Sequence, residues 1–310
     1  MAKIGLWTDS HNFPSLPLMK LSAYHNGRGD QIEFLNHLSH YDKVYCSKVF
    51  SFTEDADNEC VIYADEIHKG GTGYCITLRN GIEVFDKTND KPLPNEIESM
   101  FPDYSLYPEY DFAVGFLTKG CPRGCPFCIV GKHDGRKSYK VADLTDFYRG
   151  GQTEIKLLDA NILACEERED LFRQLIESGA WIDFNQGLDI RLMDSDVIRL
   201  IDSMNIRRLH FAWDNPKQDL TEQFRLYSEM AKKRNRSELV VYVLVNFNST
   251  LDEDLWRIYT LRDMGFSPYV MIYDKAHASQ QKKDLARWCN ANQIFRTVDN
   301  FEDYKKGQRK

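Results

Sequence analysis

The segment DFAVGFLTKGCPRGCPFC, residues 111–128, joins a short apolar run to three closely spaced cysteines. Residues 111–117 predict a buried strand, because the run is mostly apolar and is too short for a typical helix. Cys121, Cys125 and Cys128 then fall within eight positions, with two prolines and one glycine between them. The segment therefore predicts a strand that delivers three thiol groups to a single loop.

The chain after this segment alternates between predicted strands and predicted helices. Five more strands are predicted, at residues 154–159, 181–185, 207–213, 238–247 and 268–274, with helices at residues 166–178, 194–204 and 252–265. Such alternation predicts a parallel sheet with right-handed crossovers. Because a complete eight-stranded barrel takes about 250 residues, we predict an incomplete (β/α)6 TIM-like half-barrel over residues 111–275. A helical extension is predicted to follow over residues 276–310.

Polar side chains follow these predicted strands at or just beyond their carboxyl ends. The candidates at these positions are Asp159, Asn161, Asn185, Arg191, Asp214 and Asn246. In parallel α/β barrels the carboxyl ends of the strands share one face, and active sites lie on that face. The sequence therefore predicts that these side chains surround the cysteine loop.

Composition limits the class of protein. The chain has 310 residues, a formal net charge of −7 and 42% hydrophobic residues, which is ordinary for a packed domain. No apolar run approaches the roughly 20 residues of a membrane span, and no secretory signal pattern opens the chain, so a cytoplasmic location is expected. The charge gives no indication of nucleic-acid binding, and the basic stretch at residues 131–140 is typical of a solvated loop.

Two kinds of metal site compete for the three cysteines. Structural zinc takes four ligands, and here the fourth would be His133 or a distant cysteine, in a spacing unlike the familiar zinc fingers. A 4Fe–4S cluster held by only three thiolates would leave one iron open, as a catalytic metal site requires. In a third interpretation the cysteines bind no metal.

The motif resembles that of the radical S-adenosylmethionine (radical SAM) superfamily. It combines Cys-x3-Cys-x2-Cys, Phe127 directly before the last cysteine, and a position after the first strand of a half-barrel. The resemblance implies that Cys121, Cys125 and Cys128 hold a 4Fe–4S cluster that reductively cleaves S-adenosylmethionine to a 5′-deoxyadenosyl radical. It also implies a reductant partner such as flavodoxin or ferredoxin, and it leaves the substrate unknown.

The resemblance assigns further residues to the cofactor's amino-acid part. Asp159, helped by Asn161, stands where the family often has a Gly-Gly-Glu motif at the amino group. Asn185 and Arg191 follow the third strand, and Arg191 would pair either with the cofactor carboxylate or with a helix carboxylate.

The nucleoside part of the cofactor has its own candidates. The resemblance implies Phe127 beside the adenine and Asp214 at a ribose hydroxyl. Asn246 lies where the family often has a glycine-rich adenine contact, and this chain lacks those glycines.

The amino-terminal half predicts a parallel α/β layer, with strands at residues 3–8 and 31–35, a helix between them and a strand within residues 43–52. It resembles the Rossmann-like, cobalamin-binding-like domains that precede many radical SAM cores. We place this domain at residues 1–95 and a proline-rich linker at residues 96–110. His11 lies where some such domains bind cobalt, so cobalamin is a candidate cofactor; the alternative is a hydrogen bond from His11 to Asp9.

Two other functions remain open. One is a non-catalytic metal-binding module with a structural cluster or zinc. The other is a methylthiotransferase-like enzyme that modifies RNA or protein, in which Cys46, Cys60 and Cys75 would hold a second cluster. The spacing of those three cysteines does not match that family, and the C-terminal region predicts helices rather than an RNA-binding barrel.

Overall fold

The computed structural model describes residues 1–59, 61–79 and 82–308. Within them the chain is mixed α/β with several parallel sheets, and none of these sheets closes into a barrel. The chain divides into two compact units, Met1–Gly115 with Ala142–Thr153, and Phe116–Val141 with Glu154–Lys310. Across the described residues every helix is too short or too polar to cross a membrane.

The first unit is built around a parallel sheet. It contains β1 (Lys3–Thr8), α1 (Leu16–Asn26), β2 (Gln31–Phe34), β3 (His40–Ser47), α2 (Ala56–Glu59), β4 (Tyr63–Gly70), α3 (Thr72–Cys75), β5 (Ile76–Arg79), β6 (Ile82–Phe85), α4 (Asn95–Glu98) and β7 (Phe112–Gly115). The sheet order is β2-β1-β3-β4, and every neighbouring pair in it is parallel. β5 and β6 form a separate antiparallel pair.

The predicted strand at residues 3–8 and the helix after it are confirmed. α1 ends at Asn26, directly before Gly27. The strand predicted within residues 43–52 is β3, which begins earlier and stops at Ser47. It stops there because the Asp9 carboxylate accepts the backbone N–H groups of Val49 and Phe50, at 2.8 and 3.0 Å, so these donors are lost to the sheet.

Residues 96–110, predicted as a linker, pack against α1 of the first unit. Ile97 and Tyr107 are buried. The Asp103 carboxylate accepts a hydrogen bond of 2.7 Å from Ser22 in α1, and the Asp103 backbone N–H donates to the Met19 carbonyl at 3.1 Å. This segment is therefore held to α1 by both apolar and polar contacts.

The second unit carries the remaining elements. It contains β8 (Thr118–Lys119), α5 (Val130–His133), β9 (Tyr139–Lys140), β10 (Glu154–Leu157), α6 (Arg168–Ser178), β11 (Trp181–Phe184), α7 (Ser195–Asp202), β12 (Asn205–Ile206), β13 (Leu209–Ala212), α8 (Thr221–Met230), β14 (Leu239–Val245), α9 (Leu251–Asp263), β15 (Ser267–Ile272), α10 (Gln280–Asn290), α11 (Asn292–Thr297) and α12 (Phe301–Gln308). The strands predicted from residue 154 onward, the three helices between them and the helical C-terminal region are confirmed.

Six strands of the second unit form two groups, and the strands within each group are parallel. β11 lies between β10 and β12, and β14 lies between β13 and β15. The strands alternate in burial, as two-faced strands do. On β13, for example, Phe211 is fully buried and contacts Phe224 of α8 and Phe266, whereas His210 and Ala212 point to the opposite face.

The helices of the second unit begin and end at recognisable capping residues. Thr250 and Glu253 form a reciprocal capping box at the start of α9. Asp194 accepts two backbone N–H groups at the start of α7. α6 ends at Gly179, whose φ of 64° is in the left-handed region that favours glycine. Local sequence thus sets where these helices stop, and so where each strand–helix loop lies.

Candidate functional site

The cysteine loop, residues 120–138, is closed at its base by backbone contacts. β8 and β9 pair antiparallel, and the Cys121 N–H donates to the Gly135 carbonyl at 3.1 Å. Gly120 has a φ of 82°, and a Cβ there would lie 2.1 Å from the Lys137 carbonyl oxygen. Only glycine allows this approach, so the position directly before the first cysteine is fixed by sterics.

Asp159 ties the start of this loop to the end of β10. Its carboxylate accepts hydrogen bonds from the Leu117 N–H, at 3.2 Å, and from both the N–H and the hydroxyl of Thr118. Burial raises the pKa of Asp159 to about 6, while these hydrogen bonds act to lower it. The residue predicted to bind the cofactor amino group therefore has both oxygens engaged in positioning the strand that leads to the cysteines.

The three thiols of the loop are all partly buried. Burial raises the pKa of the Cys125 and Cys128 thiols, and the nearby Asp214 and the other cysteines raise it further. Among the residues that the structure describes, no group of three or more His, Cys, Asp or Glu side chains is arranged to hold a metal ion. The loop matches a cluster only in donor type and in sequence spacing, because cysteine thiolates are the ligands of iron–sulfur clusters; the three side chains do not converge on one point.

Asn161 connects the first cysteine to a buried charge cluster. Its amide nitrogen lies 3.6 Å from Cys121 Sγ and 3.3 Å from Asp189 Oδ2. Asp189 in turn forms ion pairs of 2.6 Å with both Arg123 and Arg191. Burial would raise the pKa of Asp189, but the two arginines hold it below its ordinary value. The Asn161 carbonyl oxygen is buried without a partner among the described residues, so this side chain has one acceptor still to satisfy.

A cavity of about 290 Å³ opens beside the loop. From the cysteine segment, its wall includes Arg123, Gly124, Cys125, Pro126 and Phe127. Later strands and loops contribute Arg191, Ala212, Asp214, Asn215, Gln218, Leu220, Phe247 and Asn248. The cavity thus combines a thiol, cationic and anionic groups, amides and two aromatic rings on one wall.

The two charged groups from later loops, Arg191 and Asp214, are held differently. Arg191 donates to Asp189 and, at 2.9 Å, to the Gln218 amide oxygen. Asp214 is half-buried, and its partial removal from water raises its pKa to about 6 against the positive charges of Arg257 and Arg191. The cavity therefore presents an oriented guanidinium and a carboxyl group that titrates close to neutrality.

The remaining predicted residues divide between the cavity and its surroundings. Phe127 lines the cavity and contacts Phe247, with ring centroids 5.5 Å apart. Asn246 has a φ of 67°, and its amide donates to the Tyr273 carbonyl at 2.8 Å, so it shapes the turn that presents Phe247. Asn185 follows β11, and its backbone N–H donates to the Leu157 carbonyl at 3.1 Å. In the described part of the chain, Asn185 and Asn246 are not among the residues that line the cavity.

A fully buried ionic cluster supports the backbone at Asp214. Arg257 and Asp254, both in α9, are completely buried and 2.6 Å apart, and the Lys282 ammonium contacts the other Asp254 oxygen. The Arg257 guanidinium also donates to the backbone carbonyls of Trp213, at 2.6 Å, and Asp214, at 3.2 Å. Through these bonds α9 fixes the loop that carries the cavity carboxylate.

His11 is the residue of the first unit that was predicted to bind cobalamin, with a hydrogen bond to Asp9 as the alternative. Asp9 accepts hydrogen bonds from the loop after β3, and His11 lies in an exposed turn. Cβ atoms on Gly71 and Gly73 would lie 2.3 Å from the Lys48 carbonyl oxygen and 2.6 Å from Lys48 Cγ. These glycines are therefore required by packing against Lys48, and cobalamin binding at His11 stays a prediction.

A second cluster of the methylthiotransferase type would need Cys46, Cys60 and Cys75. Cys60 lies outside the described residues. Cys46 and Cys75 are both buried, as is typical of cysteines that act as small apolar side chains.

Sequence reasoning did not assign Arg123, Gln218, Phe247 or Arg257 to the site, and it expected Asp189 only as one of the polar residues after the third strand. Arg257 carried a detectable signal, because it stands four positions before the buried Leu261 and three after Asp254, and so lies on the apolar face of a predicted helix. Arg123 pairs with Asp189 across 66 positions, and nothing local indicates that contact.

The cysteine loop, the Asp159 carboxylate that anchors it and the adjacent cavity together form the candidate functional site. No protein-family model matches this chain, and a search of the curated proteins gives no match either.

Proposed function

We propose that this chain is a radical SAM enzyme in which the cysteine loop holds a 4Fe–4S cluster and the adjacent cavity binds S-adenosylmethionine. One observation carries the proposal. Three cysteines share one loop, and the cavity beside that loop is lined by one of them, Cys125, together with Arg191 and Asp214. The spacing of the cysteines supports it as well, since it is the spacing on which the resemblance rests.

Cys121, Cys125 and Cys128 would be the cluster ligands. When bound, the cluster would supply the electron that cleaves S-adenosylmethionine to methionine and a 5′-deoxyadenosyl radical. Because their pKa values are raised, the Cys125 and Cys128 thiols hold their protons in the metal-free chain, and each would release its proton on binding metal. The Asn161 amide would donate to the Cys121 sulfur, a contact of the kind that tunes cluster potential.

The charged groups of the cavity suit the amino-acid part of the cofactor. Arg191 would pair with a carboxylate, and its contacts with Asp189 and Gln218 already orient its guanidinium. Asp214 would accept hydrogen bonds from an ammonium group or from ribose hydroxyls. The aromatic rings of Phe127 and Phe247 provide apolar surface for adenine. Asp159 has a different role in this proposal, since its oxygens hold Leu117 and Thr118.

We also propose the finer architecture that this function implies. The two parallel groups of strands in the second unit would belong to an incomplete (β/α)6 half-barrel, and the parallel sheet of the first unit would be Rossmann-like. The support for both is parallel pairing combined with strand–helix alternation. Electrons would come from a cytoplasmic reductant of the flavodoxin or ferredoxin class, and the substrate is not assigned.

Anaerobic reconstitution of the full chain with iron and sulfide tests the proposal. We expect about four irons per chain, the absorption of a 4Fe–4S cluster, and 5′-deoxyadenosine when S-adenosylmethionine and a reductant are added. Alanine at Cys121, Cys125 or Cys128 should remove the iron. Cys165→Ala is the matched control, because Cys165 is a buried cysteine that contacts Glu167 instead, and it should retain the iron.

Two outcomes would overturn the proposal. Stoichiometric zinc with no iron uptake would make the loop a zinc site. A cluster that forms but gives no 5′-deoxyadenosine would leave a non-catalytic metal-binding protein.

A further inference from the structure

A second cavity, of about 540 Å³, lies against the cysteine loop and is open to solvent on one side. Arg123 lines both this cavity and the first one, so its side chain is a wall that the two cavities share. Much of the remaining wall is apolar and is formed by Pro122, Leu163, Ala164 and Leu192. The second cavity therefore has room for a small molecule directly beside the candidate site.

Arg123 brings unused hydrogen-bond donors to this shared wall. Its Nε donates to Asp189 at 2.6 Å, which fixes the plane of the guanidinium group. Among the residues that the structure describes, the two terminal nitrogens of Arg123 have no hydrogen-bond partner. The side chain is 31% exposed, so these donors can be reached from solvent. Asp189 also pairs with Arg191, so a single carboxylate balances two guanidinium groups.

The other charged residues of the second cavity are already paired. Each has an ion-pair partner that does not line the cavity: the pairs are Glu166–Lys137, Arg168–Asp194 and Glu169–Arg173. The Arg168 guanidinium also donates to the Leu163 carbonyl at 2.9 Å, which holds it against the wall. The outer edge of Arg123 is therefore the group best placed to bind a charged ligand.

The chemistry of the ligand follows from this wall. The outer edge of a guanidinium group presents two parallel N–H donors, which match the two oxygens of a carboxylate or phosphate. Glu166 and Glu169 lie on the same wall and would repel a doubly charged phosphate more than a singly charged carboxylate. The apolar side chains provide surface for a hydrocarbon group. The wall therefore suits a monocarboxylate that carries an apolar body.

We propose that the second cavity binds a monocarboxylate with an apolar body, and that Arg123 is the residue that selects the carboxylate. Arg123 stands between Cys121 and Cys125 in the sequence and borders the first cavity, so a ligand bound to it lies beside the proposed cofactor site. Such carboxylates are then the substrate class of the enzyme. This substrate role rests on the proposed function, whereas binding itself needs no cluster.

Hexanoate is the probe, and hexanamide, which has nearly the same shape but no charge, is its matched control. Binding of each compound to the metal-free full chain is followed by saturation-transfer NMR. We expect saturable binding of hexanoate and an affinity for hexanamide at least about tenfold lower, since a charge-assisted pair of hydrogen bonds is lost. Hexyl phosphate should bind more weakly than hexanoate, and tighter binding of hexyl phosphate would contradict the carboxylate assignment.

Variants test the residue and the space separately. Arg123→Gln removes the charge and should weaken hexanoate binding by about tenfold, whereas Arg123→Lys keeps the charge without the paired donors and should lose less. Ala164→Phe fills the cavity without changing Arg123 and should also weaken binding. Arg199→Gln is the control, because Arg199 is exposed on α7, pairs with Asp196 and lies outside the cavity wall; it should bind as the original chain does.

The outcomes distinguish this inference from the proposed function. Equal affinity for hexanoate and hexanamide, no saturable binding, or full binding by Arg123→Gln or Ala164→Phe would overturn the carboxylate site. A reconstituted chain that forms 5′-deoxyadenosine but does not bind hexanoate would refute this inference alone. A chain that binds hexanoate through Arg123 but forms no 5′-deoxyadenosine would refute the enzyme and keep the carboxylate site.

Discussion

Two buried polar regions of the second unit show opposite degrees of hydrogen-bond satisfaction. In the ionic cluster, Asp254 contacts Arg257 and Lys282 through different oxygens, and Arg257 also reaches the Trp213 carbonyl. Between β11 and β13, Asp183 Oδ1 and His210 Nδ1 lie 3.8 Å apart without a hydrogen bond. Because burial makes every unmet hydrogen bond costly, a satisfied group supports the fold, whereas an unsatisfied one lowers the free energy of unfolding.

The largest expected loss of folding stability comes from breaking the buried ionic cluster. Arg257→Met leaves Asp254 buried without its guanidinium, and removing one partner of a buried ion pair costs about 3–5 kcal/mol. Denaturant unfolding measures the loss. Arg225→Met is the matched control, since Arg225 pairs with Glu222 and Glu229 on an exposed face of α8, and it should not measurably change stability. Equal stability for both variants would mean that the buried cluster contributes nothing.

A smaller loss is expected from the second cation of that cluster. Lys282→Met removes one charge-assisted hydrogen bond while Arg257 keeps its own contact with Asp254, so the free energy of unfolding should fall by about 1.5–3 kcal/mol. The same unfolding measurement ranks the two variants. A loss from Lys282→Met as large as that from Arg257→Met would show that both cations are needed to compensate Asp254.

The unsatisfied region should tolerate a comparable change. His210→Phe removes a nitrogen that has no partner and keeps the ring packing, so stability should stay within about 0.5 kcal/mol of the original or rise slightly. His25→Phe is the contrast, because His25 is a buried histidine bonded to Asp30 at 2.8 Å and to Tyr45 at 3.1 Å. That variant should lose about 1–3 kcal/mol. Equal losses at the two histidines would remove the distinction between the regions.

The smallest expected effect is the pH dependence of folding stability caused by His210, which belongs to the unsatisfied region. Burial holds the pKa of His210 in the folded chain below its unfolded value of 6.5, with Arg208 and Lys156 acting in the same direction, and Asp183 and the Phe184 backbone opposing them. Below pH 6.5 the unfolded chain therefore binds more protons at this residue than the folded chain. Stability should fall as the pH drops through this range. His210→Phe should lose less stability than the original chain on the same acid titration, and identical slopes would contradict the assignment.

Sequence periodicity was sufficient for the positions of most strands and helices. The strand at residues 3–8 and the strands after residue 154 show burial patterns that follow from apolar runs bounded by turn residues. β4, at Tyr63–Gly70, was missed because its side chains are mostly exposed or half-buried and carry no apolar pattern. Strand ends differ from the predicted ones where a side chain accepts hydrogen bonds from backbone N–H groups, as Asp9 does after β3.

The site was predictable only in its local parts. Neighbouring residues in the sequence were enough to identify the cysteine spacing, the polar strand ends and Phe127. The function of Asp159 could not, because it depends on hydrogen bonds to Leu117 and Thr118, about 40 positions earlier in the chain. The pairing of Asp183 with Lys156 and its gap to His210 depend likewise on strand register, which the sequence does not state.

The closed base of the cysteine loop affects how the protein would acquire metal. β8 and β9 already join its two ends, Gly120 fits against Lys137, and Asp159 fastens the entry to β10. The entropy of bringing the loop ends together is therefore lost during folding rather than during metal uptake. If the loop binds a cluster as proposed, reconstitution should be a local rearrangement of thiols in a folded chain, and the chain should stay folded through repeated loading and removal of iron.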